Sequence, residues 1–220
     1  MKTYYSPGCA LMIYKPGLAK KILEILSAEF EVTEEYMPCC KQVPTLTGKN
    51  CIINTCPGCD RRFRELYEGI STVSLWEILA ESKTFPFPDY KEMEMTIHDA
   101  CPVRSESRVH VAIRRLLDRM NIRIVETRNN REHSICCGDD FYTKIPLTKV
   151  HQQMKKRAAE MPLQDVVVYC VSCVKSMHIG GKVPHYMVDL LFGEPTEIGV
   201  YETEAWHNQV DAYADAHKIK

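Results

Sequence analysis

No apolar run in this 220-residue chain approaches membrane-spanning length; the longest strand-like run is Val166-Val167-Val168-Tyr169. No direct membrane span is therefore expected. No secretory leader is legible either, because Met1-Lys2 is followed by Thr3-Tyr4-Tyr5-Ser6-Pro7-Gly8 without an apolar stretch. A Gly-rich phosphate loop is missing: Gly180-Gly181 alone is a turn signal, not a nucleotide site. An excess of positive charge is missing as well. The formal net charge is −1, and the nearest basic cluster, Lys155-Lys156-Arg157, is expected on a solvated helix face. Nucleic acid is thus not an expected partner. The 45% hydrophobic and 26% charged content is that of a globular protein, and the expected location is the cytoplasm.

What the chain has instead is cysteine. A high and odd count, 11, in a cytoplasmic chain reads as metal or redox chemistry rather than structural disulfides. Ten of the 11 fall into one pattern written twice: a single Cys, an adjacent pair, then Cys-x-x-Cys. The first copy is Cys9, Cys39-Cys40 and Cys56-Pro57-Gly58-Cys59. The second is Cys101, Cys136-Cys137 and Cys170-Val171-Ser172-Cys173. Cys51, inside a β-rich run, reads as a small buried hydrophobe.

Each copy rides on the same alternation of strands and helices. In the first, Lys2–Tyr5 reads as a strand, and Leu18, Ile22, Ile25 and Leu26 recur at helical spacing. Glu31–Glu35 reads as a second strand and Cys51–Asn54 as a third. Phe63, Leu66 and Tyr67 suggest a helix, Thr72-Val73 a last strand and Leu75–Ala80 a closing helix. In the second, Met95–His98, Ile122–Val125 and Val166–Tyr169 read as strands. Val109, Ile113, Leu116, Leu117 and Met120 mark one helical face, Leu147–Ala159 a further helix and Met187–Leu191 the close.

The spacing divides the chain into a shortened first unit at 1–84, a linker at 85–93 containing Phe85-Pro86-Phe87-Pro88, a second unit at 94–193 and a helical tail at 194–220. In the tail, Trp206, Val210 and Tyr213 share a face that either packs back on the body or docks a partner. The fold class is α/β, two tandem Rossmann-like units with parallel sheets flanked by helices and a pseudo-two-fold internal symmetry. In such sheets, sites form beyond the carboxyl ends of the strands, where distant thiols meet at loop tips.

Five thiols exceed the four ligands of a structural zinc, and adjacent cysteines chelate one small ion poorly. They reach different irons of a cluster more easily, and soft thiolates suit iron–sulfur sites. A thioredoxin-type dithiol at Cys56 and Cys59 is the alternative, but it leaves Cys9, Cys39 and Cys40 without a role. His98-Asp99 is a weak signal for a metal-hydrolase pair, and a hydrogen-bonding role beside Cys101 suits it better.

These residues resemble the cysteine-rich CCG domain found in heterodisulfide reductase and in related iron–sulfur subunits of lactate, glycolate and glycerol-3-phosphate oxidation systems. The resemblance rests on Ile97-His98-Asp99-Ala100-Cys101, Cys136-Cys137-Gly138 and Tyr169-Cys170-Val171-Ser172-Cys173, with gaps of 34 residues (102–135) and 32 residues (138–169). The opening Tyr5-Ser6-Pro7-Gly8-Cys9-Ala10-Leu11 carries it into the first copy. There the second gap is only 15 residues (41–55), about one helix and loop shorter, and Lys41 replaces the glycine.

In that family such a five-cysteine set can hold a non-cubane [4Fe-4S] cluster. The resemblance implies cluster ligation by Cys101, Cys136, Cys137, Cys170 and Cys173, and an iron–sulfur cluster or zinc at Cys9, Cys39, Cys40, Cys56 and Cys59. His185 resembles a family position near the cluster; with His98 and Asp99 it is a candidate to surround the metal, and no catalytic side chain is singled out. The implied function is disulfide reduction, with a small-molecule disulfide or thiol as substrate and electrons arriving singly. The chain carries neither a Cys-x-x-Cys-x-x-Cys run nor a flavin fingerprint. The implied partners are therefore a ferredoxin-like iron–sulfur subunit and a flavin-containing donor. Two alternatives remain: an electron-relay subunit of a lactate- or glycolate-oxidation complex, and a cluster-free zinc or dithiol protein.

Overall fold

The computed structural model describes residues 1–32 and 34–218. It divides into two units, Met1–Phe85 with His207–Lys220, and Pro86–Trp206. The first carries strand β1 (Lys2–Ser6), helices α1 (Gly8–Tyr14) and α2 (Pro16–Phe30), β2 (Asn50–Asn54), α3 (Pro57–Leu66), β3 (Ile70–Ser74) and α4 (Leu75–Ala80). Its described strands form a parallel sheet in the order β1-β2-β3, as helical crossovers require. Pro16 opens α2, where its missing N–H costs nothing. Leu18, Ala19, Ile22 and Leu26 bury one face of that helix, and Glu31 ends it in a left-handed turn at φ 56°. Ser74 and Glu77 cap the start of α4 reciprocally.

The strand expected at Glu31–Glu35 is a single parallel bridge, Tyr5 to Glu35. Tyr5 N donates to Glu34 O at 2.8 Å and Tyr36 N to Tyr5 O at 2.7 Å. The left-handed Glu31 shortens the run available for pairing; Thr33 lies outside the described residues.

The second unit carries β4 (Met93–His98), α5 (Ser107–Arg119), β5 (Ile122–Val125), α6 (Leu147–Ala159), β6 (Asp165–Val168), α7 (Val171–Ile179), β7 (Val183–Tyr186) and α8 (Met187–Phe192). The described sheet is parallel, in the order β5-β4-β6-β7. Ile97, Val166, Val167 and Val168, on its central strands, are fully buried, as strands covered on both faces must be. β7 was not legible in the sequence because Pro184 interrupts it; at a sheet edge the missing N–H is tolerated. The segment expected to link the units packs on the second one. Phe87 stacks on the Arg119 guanidinium at 4.0 Å, and the Tyr90 hydroxyl donates to Leu190 O at 2.9 Å.

Both units thus repeat one α/β plan, with Glu35 bridging β1 where β5 pairs with β4. They differ between the cysteine pair and the Cys-x-x-Cys. There the second unit holds α6, while among the described residues the first holds no helix from Cys40 to β2. The tail forms α9 (Thr203–Ala216) and packs back on the body: Trp206 and Ala214 are buried.

Candidate metal centre in each unit

Parallel pairing sets the site. Ser6 is level with Asn54, so Cys9 and Cys56 leave the first sheet at the same end. His98 is level with Val168, which does the same for Cys101 and Cys170. The adjacent pairs arrive from loops. The thiols of the first unit then touch in the sequence Cys9, Cys39, Cys40, Cys59, Cys56. Those of the second touch in the matching sequence Cys101, Cys136, Cys137, Cys173, Cys170. Two separate stretches of chain therefore build the same row of five sulfurs, and Cys51 belongs to neither. Cys51 is half-buried and lines a surface cleft with Thr3, Val32 and Ile53, rather than sitting in the core as expected.

Crowding splits the thiols' acidities. Hydrogen bonds from Cys101 and Cys137, with the Gly138 and Asp140 amides, hold Cys136 far below the ordinary thiol range. Cys101, Cys137 and Cys173 are pushed up, because each gives its proton to a neighbouring sulfur and burial opposes a charge. Cys39 and Cys9 repeat the division in the first unit. Cys56 caps α3 and falls to about 7 through hydrogen bonds from Cys59 and from the helix's first amides. Five thiolates in such a row need positive charge among them, which is what bound metal supplies.

The donor set fits more than one metal ion. Among the described residues, the group brought within 4.8 Å for a single ion is His98, Cys137 and Cys173. The remaining thiols extend away from it in the row, as ligands shared among several irons would.

Asp99 ties the three cysteine segments of the second unit together. Its carboxylate accepts from Arg114 Nη1 and Nη2 at 2.9 and 2.8 Å, from Arg131 N at 2.7 Å and from the Tyr169 hydroxyl at 3.2 Å. The Tyr169 hydroxyl also accepts from Ala100 N at 2.9 Å, and the Ser134 hydroxyl donates to Asp99 O. The residues flanking Cys101, Cys136 and Cys170 are thus joined through one buried carboxylate. Burial raises its pKa, but Arg114 and the Arg131 amide outweigh that and leave it below the ordinary carboxylate value.

His98 lies on the sulfur row, while His185 does not. His185 Nε2 meets Asp165 Oδ1 at 2.7 Å, at the start of β6 and away from Cys170. His98 is fully buried and takes a hydrogen bond on Nδ1 from Arg157 Nε at 3.2 Å. Burial and the Arg157 guanidinium push it down to about 3, so the ring is neutral. Arg157 corrects the expectation of a solvated basic face: it is 1% exposed, bonded also to Glu160 and to Asn129 O. The spacing Val150, Met154, Arg157, Ala158 places it on the buried face of α6, a signal the sequence did carry.

Gly138 explains the glycine after the second cysteine pair. Its φ is 111°, and a Cβ there would meet Met154 Cγ at 2.7 Å and Met154 N at 2.8 Å. The first unit has no counterpart of α6 to press on this position, and Lys41 stands there instead. Its site is framed differently. Arg62 Nε and the Tyr67 hydroxyl, from α3 and its end, donate to Cys40 O at 3.1 and 3.0 Å. The far half of α9 joins in: Gln42 Nε2 donates to Ala214 O at 3.0 Å, and Ala214 packs with Cys39, Cys40 and Cys59.

Residues 95–178 match the family model of the cysteine-rich domain, CCG, a stretch that contains every cysteine of the second row and α6. No curated protein matches the chain.

Proposed function

We propose that this chain, with a CCG cysteine-rich domain over residues 95–178, is an iron–sulfur redox subunit that reduces a small-molecule disulfide or exchanges electrons with a thiol–disulfide couple. The observation that carries the reading is the all-sulfur row of five thiols, built twice with the same order of contacts. Cys101, Cys136, Cys137, Cys170 and Cys173 would hold a [4Fe-4S] cluster in the second unit. Cys9, Cys39, Cys40, Cys56 and Cys59 would hold a second cluster in the first.

A bound cluster would supply one-electron steps and soft iron sites with affinity for sulfur. The chain's own groups prepare for that. The amides opening α3 and α7 favour anionic sulfur. Burial of Cys137 and Cys173 keeps water from the inner end of the row. Cleaving a disulfide takes two electrons and two protons and yields two thiols. The electrons come from an iron–sulfur or flavin partner subunit.

The test is iron, zinc and acid-labile sulfide on protein purified without oxygen. About eight irons with matching sulfide supports two filled sites, and about four supports the second row alone. Zinc without sulfide, persisting after anaerobic reconstitution, overturns the cluster. Electron paramagnetic resonance with added disulfide then separates the chemistry. A cluster signal that the disulfide leaves unchanged overturns substrate reduction in favour of a relay.

A further inference from the structure

His98 is one of the three groups gathered for a single ion, so its nitrogen looks at first like a metal ligand. Its other ring nitrogen says otherwise. Arg157 Nε carries a proton at every accessible pH, and it points that proton at His98 Nδ1 across 3.2 Å. Nδ1 must accept, so it carries no proton of its own. A neutral imidazole then has its proton on Nε2, an assignment that follows from the hydrogen-bond network. Nε2 is buried and has no hydrogen-bond partner among the described protein atoms. One ring nitrogen lies within 4.8 Å of the sulfurs of Cys137 and Cys173, and with Nδ1 occupied by Arg157 that leaves Nε2. A nitrogen that bears a proton cannot give its lone pair to a metal, but it can donate to a sulfur.

We propose that His98 is a positioning residue that donates an Nε2–H hydrogen bond to the sulfur of the second metal centre, held in that tautomer by Arg157, and so raises that centre's reduction potential. The proposal rests on the cluster reading above. Donation to sulfur stabilises the more negative, reduced state, and such bonds are among the factors that set cluster potentials. Arg157 is itself fixed by Glu160 Oε2 and Asn129 O, so the tautomer is built into α6 and its neighbours. The first unit has Ser6 at the matching place, three residues before Cys9, where His98 stands three before Cys101. The device therefore belongs to the second centre alone, and the two centres differ in potential.

The experiment is a redox titration followed by electron paramagnetic resonance, on wild type, His98→Leu and His98→Gln. Iron and sulfide are measured on the same samples. His98→Leu removes the donor, and His98→Gln keeps a side-chain N–H. With wild-type iron content, His98→Leu is expected to disfavour reduction of the second centre about tenfold, ~59 mV for a one-electron couple. His98→Gln recovers much of that shift, and the first centre does not move. An unchanged potential at full iron content overturns the proposal while leaving the cluster reading intact. A wild-type chain without iron and sulfide overturns the cluster reading, and this proposal with it. A readout without any variant is pulsed resonance on wild type labelled with ¹⁵N-histidine. A weak nitrogen coupling with an exchangeable deuteron is expected. The strong coupling of a directly bound nitrogen, or no coupling, overturns the proposal.

Discussion

Arg114 grips Asp99 with both of its terminal nitrogens, at 2.8 and 2.9 Å, and the carboxylate they hold is fully buried. Asp99 lies just before Cys101 in the chain and reaches the strand end before Cys170 through Tyr169. Loss of the pair would loosen the whole row rather than one thiol.

Asp99→Asn keeps the shape and removes the charge. Arg114 retains Glu126, at 2.8 Å, but its buried side is left uncompensated. The expected cost is about 2–4 kcal/mol by denaturant titration. Second-site metal should be lost to a chelator well before first-site metal. Equal retention at both sites would remove Asp99 from its assembling role.

Gly138→Ala should be costly for two separate reasons, the left-handed backbone and the contact with Met154. Together these amount to about 2–4 kcal/mol. Lys41→Gly, at the corresponding place in the first unit, should change stability by less than about 1 kcal/mol. Similar losses for the two changes would mean that α6 does not dictate the glycine.

Cys136→Ser and Cys137→Ser should each strip or convert the second centre, since oxygen is the poorer ligand for soft iron. Full wild-type iron in either variant would take that residue out of the ligand set. Cys51→Ser should leave the metal content unchanged, because Cys51 lines a surface cleft and belongs to neither row.

Lys175 makes a pH prediction. Burial pushes it down to about 8, while its ammonium reaches Ile198 O and the Trp206 ring. The unfolded chain holds that proton up to about 10.4, so the folded state is penalised while Lys175 is charged. The penalty is full below about 8 and fades as pH rises from about 8 to about 10.4. Wild type should therefore gain stability across that window relative to Lys175→Met. A parallel pair of stability curves would refute the shift.

Much of this was legible in the chain. The doubled cysteine order, the α/β alternation and the one-helix deficit of the first copy were all visible. So were the limits of α4, β5 and α6, because hydrophobic periodicity and caps are local properties. Elements whose signal is not local were missed or misjudged. β7 carries a proline that only an edge position tolerates. The strand at Glu31–Glu35 met a left-handed turn and shrank to one bridge. Arg157 was hidden in a run of basic residues, and its burial depends on what α6 covers.

The sequence by itself determined that ten thiols come in two equivalent sets of five, since spacing between strand ends is a one-dimensional property. Only the tertiary structure decided which groups surround them. It placed Asp99 at the join of three loops, set His185 against Asp165 instead of the sulfurs, and turned the His98 ring by the proton of Arg157. Those choices depend on contacts between residues up to 70 positions apart, which only burial and hydrogen-bond satisfaction in the folded chain can select.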